Sequence, residues 1–255
     1  MQVLSTALPL HHHPTDIKMQ SAIVRHLCSL KKALRSLKQY YQNLSESSPI
    51  PRPANRINCF PYPTEFVRRG DGAVLAFDYR TQLSEDKPLF SATITGTNTE
   101  VCIKFAKTYC EETHSFCASN GFAPALHGFQ RLPGGWCMVV MDILGDSYVD
   151  LVGCQFSVPP QRFDAIEESL IEMHQHGYVH GDVRDANIMV PKQDKTLPPF
   201  MLVDFDWAGK IGEARYPLNV NKGIGRPEGA EDGKLIMAEH DIAMLAKMRP
   251  EDLNT

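Results

Sequence analysis

Asp182, Asn187 and Asp204 carry the side-chain oxygens that could hold a hard cation next to a proton acceptor. The run His180-Gly181-Asp182-Val183-Arg184-Asp185-Ala186-Asn187 leads into the apolar stretch Ile188-Met189-Val190. Seventeen residues after Asn187 (204 − 187) comes Val203-Asp204-Phe205-Asp206. Carboxylate and amide oxygens are the ligands magnesium prefers, and a carboxylate can take or orient the proton of an attacking hydroxyl. Upstream, Val101-Cys102-Ile103-Lys104 sets a cation in an apolar stretch. Taken singly, Asp182 reads as a turn cap, Asn187 as a turn residue and Lys104 as an exposed strand residue. Their order and spacing together favour one site.

Positioning these side chains requires a sheet followed by helices. Residues 74–79, 89–95 and 101–106 read as strands, the last two joined by a turn at Gly96-Thr97-Asn98. A helix over 110–119 stops at Asn120-Gly121, and strands over 125–131 and 136–141 flank Pro133-Gly134-Gly135. Pro159 and Pro160 open a further helix. Phe163, Ile166, Leu170 and Met173 line one of its faces, and Gly177 closes it. Short strands over 188–190 and 200–203 and a last helix over 235–248 complete the pattern. A small sheet with one helix thus precedes a mostly helical half, an α+β, two-lobed layout.

In order, HxDxxxxN followed by DF, with Lys104 upstream, resembles the protein-kinase superfamily. The wording HGDVRDANIMV, DFDWAG and GRPEGA is similar to compact fungal-type kinase-like proteins, over about residues 74–245. HGD is also shared with aminoglycoside and choline phosphotransferases. The resemblance implies a kinase-like fold with a small antiparallel sheet lobe and a mostly helical lobe, shortened at the C-terminus. It implies ATP and Mg2+ as cofactors and the following roles. Asp182 would accept the hydroxyl proton, Asn187 and Asp204 would hold magnesium, and Lys104 would hold the α- and β-phosphates. Arg184 would face the transferred phosphate or form a surface ion pair. Lys104 needs an acidic partner from the next helix, Glu111 or Glu112. Glu112 is preferred because Phe116, one turn on, would supply the apolar spine residue beside His180 and Phe205. Arg226-Pro227-Glu228 resembles the end of an activation segment, and Asp241, thirteen residues on (241 − 228), reads as a buried scaffold.

Four departures qualify this likeness. No GxGxxG precedes Lys104, so residues 84–88 would have to cover the phosphates without glycine's close approach. Gly181 stands where kinases that read a phosphorylated loop have arginine. Between Asp204 and Glu228 there is no Ser or Thr and only Tyr216. Asp206 replaces the glycine of DFG, a change that would add a metal ligand or stiffen the turn, the second being preferred. The chain ends fourteen residues after Asp241 (255 − 241), which reads as a minimal or truncated large lobe with Arg249 alone available to Glu228. Three functions remain: transfer to protein Ser/Thr, transfer to a small alcohol or amino-sugar, and a pseudokinase binding module.

The remainder of the chain bounds these readings. Its 255 residues are 43% hydrophobic and 22% charged, enough for one sizeable core or two small lobes. A net charge of −4 gives no field for nucleic acid or membrane, so neither is expected as a partner. Seven cysteines without a CxxC pair, and no signal-like start, fit an intracellular protein, cytoplasmic or nuclear. His11-His12-His13 reads as a solvated loop. From Ile17 to Leu44, Leu27, Leu30, Leu34, Leu37, Tyr41 and Leu44 form the stripe of an amphipathic helix. That helix could dock in cis, pair with a partner helix or meet an anionic surface. Five prolines between Pro49 and Pro63 make a linker. The expected divisions are residues 1–63 (extension), 64–144 (sheet lobe) and 145–255 (helical lobe).

Overall fold

The structure, a computed structural model, describes residues 17–44, 63–85, 87–192 and 198–249. The histidine run, most of the proline linker and the last six residues lie outside the described residues. The chain divides into two compact units, Met1–Pro61 and Tyr62–Thr255. In the first, the leucine-striped segment forms helix α1, Ile17–Leu44. No helix among the described residues is long and apolar enough to cross a membrane.

The second unit is a mixed α/β structure. Its strands begin with β1 (Glu65–Val67), β2 (Val74–Gln82), β3 (Leu89–Ile94) and β4 (Glu100–Ala106). Helix α2 (Glu111–Ser119) follows, then β5 (Leu126–Leu132) and β6 (Trp136–Asp142). These six strands make one sheet in the order β1-β2-β3-β4-β6-β5, with every neighbouring pair antiparallel. Lys104 pairs in register with Leu89 of β3 and Val139 of β6, so its backbone is held on both sides. After a 3-10 turn at Gly145–Ser147 come β7 (Tyr148–Asp150), α3 (Pro160–Gln175), β8 (Tyr178–Val179), a second 3-10 turn at Asp185–Asn187, and β9 (Ile188–Pro191). Strands β10 (Met201–Leu202) and β11 (Gly209–Lys210) and helix α4 (Ala238–Ala246) complete the unit.

The small pairings hold the loops that carry the polar residues. Strand β9 lies between β10 and β7, and β8 pairs with β11. The segment after His180 is therefore fixed at both ends, by β8 before it and β9 after it. The two-residue strands carry too little pattern to be read from sequence, which explains why β8 and β11 were not anticipated.

Helix α3 forms where its punctuation placed it. Pro160 is its first residue, and the chain leaves it through Gly177 at φ 84°, a left-handed turn that glycine takes at little cost. Phe163, Ile166, Leu170 and Met173 recur at steps of three and four, and all four are buried. They join Cys102, Val139 and Met141 of the sheet, Cys117 of α2, and Ile188, Leu202 and Phe205 in a single core. Burying one such side chain contributes roughly 1.5–3 kcal/mol. A smaller cluster gathers Val179, Tyr216, Ala230 and Ile236.

Candidate active site

Beneath the sheet a cavity of about 420 Å³ opens between Leu89 and Cys102 on one side and Met189 on the other. That volume and apolar lining suit a small-molecule ligand. Met141, Ile143 and Leu144 form its back wall, where β6 leaves the sheet. Burial pushes the Cys102 thiol up to about 12, so at this wall it is a neutral, apolar surface. Lys87, Lys104, Asp142, Asp146 and Asp204 line the same cavity together with Asn187.

Lys104 and Asp204 meet directly, with the ammonium Nζ 2.6 Å from Asp204 Oδ1. Lys104 is 5% exposed and would be costly to bury unpaired. Its second partner is Asp206, whose Oδ1 lies 2.5 Å from Nζ. Burial alone would lower the Lys104 pKa, but the two carboxylates outweigh it and raise it. Burial likewise opposes ionisation of Asp204. The ammoniums of Lys104 and Lys87 overcome it and hold this carboxyl well below the usual range. Asp206 goes the other way, to about 6, because burial and the neighbouring Asp204 charge outweigh its share of Lys104. Asp204 takes a left-handed φ of 72°, rare for a residue with a side chain and typical of sites that hold strain for function.

Asp182 and Asn187 form the second half of the constellation. Asn187 Nδ2 donates to Asp182 Oδ2 and to the Asp182 carbonyl, both at 2.9 Å. With its nitrogen committed there, Asn187 keeps its amide oxygen as a ligand-type acceptor. Val203 N donates to the Asn187 carbonyl at 3.0 Å, tying the segment before Asp204 to the one carrying Asp182. Arg184 Nε donates to Asp182 Oδ2 at 3.1 Å, so Arg184 is an ion-pair partner of the base candidate.

A scaffold aspartate holds the loop. Asp241, 1% exposed on α4, accepts from His180 N and Gly181 N at 2.8 Å each. His174 Nε2 lies 3.1 Å from the same carboxylate. This is the buried scaffold aspartate that the resemblance implied at this position. Gly181 has φ 81°, and a Cβ there would lie 2.7 Å from Ile236 Cδ1, which leaves no room for an arginine in this place.

Two expectations are corrected. Glu112 does not reach Lys104: it is exposed in the first turn of α2, where a carboxylate favours the helix N-terminus. Glu111 instead lies 3.5 Å from Arg69. Nor does Phe116 join Phe205; its ring packs on His176 and Tyr178. The residue of α2 that stacks on Phe205 is His114, at 4.7 Å and 10° between planes, with His180 at 5.1 Å from the same ring. Burial lowers the His114 pKa to about 4 and keeps it neutral. Its Nε2–H donates to the Pro124 carbonyl at 2.8 Å, which leaves Nδ1 to accept from Tyr109 Oη at 2.7 Å.

No family model and no curated protein matches this chain. Among solved structures it is similar to the kinase PK-1 of Cydia pomonella granulovirus. Identity is 17%, the match covers 55% of this chain and 57% of that one, and the TM-score is 0.46.

Several residues at the site were missed. Arg226 was assigned to a segment-closing element, yet its Nη2 lies 2.6 Å from Asp182 Oδ1. Its guanidinium stacks over Trp207 at 4.7 Å, and Nε and Nη1 are buried without a hydrogen-bond partner. Glu228 is exposed, and Arg249 pairs with Asp164 and Glu167 of α3. Asp206 was expected to stiffen a turn and instead pairs with Lys104. The one available signal was a carboxylate beside Asp204, two residues along the chain. Tyr216 is 3% exposed and bonded to His240 Nδ1 at 3.1 Å, so the segment's single hydroxyl is packed away.

Among the described residues no cluster of three or more His, Cys, Asp or Glu is gathered for a metal. A magnesium ion would rest on two protein oxygens, from Asp204 and Asn187, with ligand oxygens completing its shell. The donor set fits that hard ion, which keeps few protein ligands.

Proposed function

We propose that the chain is an ATP-dependent phosphotransferase of the protein-kinase type, moving the γ-phosphate to a hydroxyl. One observation carries this reading: Lys104 and Asp204 meet in the lining of a cavity that also contains Asn187, itself bonded to Asp182. Phosphoryl transfer asks a protein mainly to position its reactants and neutralise charge, and this arrangement supplies both.

Each residue has a distinct task in this reading. The apolar walls from Leu89, Cys102 and Met189 would take the base, and Lys104 would hold the phosphates nearest it. Magnesium, held by Asp204 and Asn187, would supply charge neutralisation on the phosphate oxygens. Asp182, oriented by Asn187, would receive the acceptor's proton, and Arg184 would screen the charge left there. The six described cysteines are free, which fits a reducing intracellular setting. Protein serine or threonine is the first acceptor class to try; small alcohols and amino-sugars are the second.

A nucleotide-binding module without transfer is favoured by one contact, the Arg226 guanidinium set on the Asp182 carboxylate. Transfer from labelled ATP separates the readings. Asp182→Asn should lower the rate by about a hundredfold to ten-thousandfold if Asp182 is the base. Equal transfer by the variant and the wild type would remove Asp182 from the reaction.

A further inference from the structure

A kinase-type nucleotide site must neutralise a polyphosphate, and here the usual donors are missing. The loop between β2 and β3, residues 83–88, contains no glycine, so its amides cannot approach as a glycine-rich loop's do. What that loop places in the cavity wall is Leu83 and Lys87. Lys87 Nζ crosses to Asp204 Oδ2, on the carboxylate whose other oxygen takes Lys104 Nζ at 2.6 Å. Two ammoniums therefore bracket one carboxylate in the cavity lining, which also includes Asp142 and Asp146.

The loop is anchored beside Lys104. Lys87 N donates to Ser84 Oγ at 3.2 Å, and Phe105 N donates to the Pro88 carbonyl at 2.9 Å. Two residues after Lys87, Leu89 stands in register with Lys104 across the β3–β4 ladder. The two lysines differ in freedom. The Lys104 side chain is 6% exposed and fixed, whereas that of Lys87 is 47% exposed on a flexible stem. Only the Lys87 end of this ion pair is exposed, so its ammonium is free to turn to a stronger anion.

We propose that Lys87 is a phosphate-binding residue of the nucleotide site. Its ammonium does the work of the absent loop amides. This rests on the reading of the cavity as an ATP site. When Asp204 turns to a cation, Lys87 and Lys104 are released together and face the polyphosphate from two sides. A lysine acts on phosphate as a point charge, so recognition should scale with phosphate number and tolerate arginine.

The test is calorimetric titration of wild type, Lys87→Gln and Lys87→Arg with ATP, ADP and adenosine in the presence of magnesium. Lys87→Gln should weaken ATP about tenfold, weaken ADP by less, and leave adenosine unchanged, with Lys87→Arg close to wild type. Wild-type affinity for ATP in Lys87→Gln, tighter binding, or an equal loss for adenosine would overturn the proposal while leaving the nucleotide site standing. Failure of the wild type to bind any of the three would overturn both.

Discussion

Lys104 donates to Asp206 at 2.5 Å, a contact between the middle of a sheet and the residue two positions after Asp204. The partner of a buried lysine is thereby supplied from the same segment as the proposed metal ligand, and not from α2. An ion pair between β4 and this segment does not depend on how α2 is placed. Asp206→Asn should therefore reduce kcat/KM for ATP by about tenfold or more, while Glu112→Gln stays within about twofold. Steady-state kinetics on the two variants checks this ordering, and a larger effect at Glu112 contradicts it.

Asp206 also sets a pH dependence. Its folded pKa of about 6 lies above its ordinary 3.8, so the folded state holds this proton more tightly. The resulting stability is complete below 3.8 and is lost as pH rises through 6. Between about pH 4 and pH 6 the wild-type melting temperature should fall relative to that of Asp206→Asn. Parallel melting curves for the two proteins would show that Asp206 titrates normally.

Asp241 bonds two buried backbone amides and the His174 ring. Asp241→Ala should destabilise the fold by about 2–5 kcal/mol, since it leaves buried donors unpaired. Urea denaturation measures the loss. His174→Ala should cost less, because it removes only one of the three partners.

Gly181 is held at φ 81° with the Ile236 side chain packed beside it. Gly181→Ala should cost about 1–3 kcal/mol through the left-handed backbone and the clash with Ile236. A thermal melt reports it; an unchanged melting temperature would mean that the loop can relax.

Where sequence was informative, it was because side-chain period or punctuation bears directly on local geometry. Helix α3 could be placed from Pro160, Gly177 and a four-residue stripe, and β4 from its apolar run into Lys104. The Asp182–Asn187 bond, across five residues and one 3-10 turn, was not anticipated, since the resemblance gave Asn187 only a metal-ligand role. What could not be read depended on helix rotation and long-range approach. His114 faces Phe205 and Glu112 faces solvent because of the angle at which α2 meets the core, which no count of residues within the helix fixes. Arg226 reaches Asp182 across 44 residues and Lys87 reaches Asp204 across 117, and neither distance leaves a periodic trace.

The nucleotide site is tested most directly by titrating Mg2+-ATP into wild type and Lys104→Met and following the melting temperature. The account predicts a saturable rise for the wild type, by mass action on the folded state, and a rise largely lost in Lys104→Met. No stabilisation of the wild type at millimolar nucleotide, or the same stabilisation in both proteins, would contradict it.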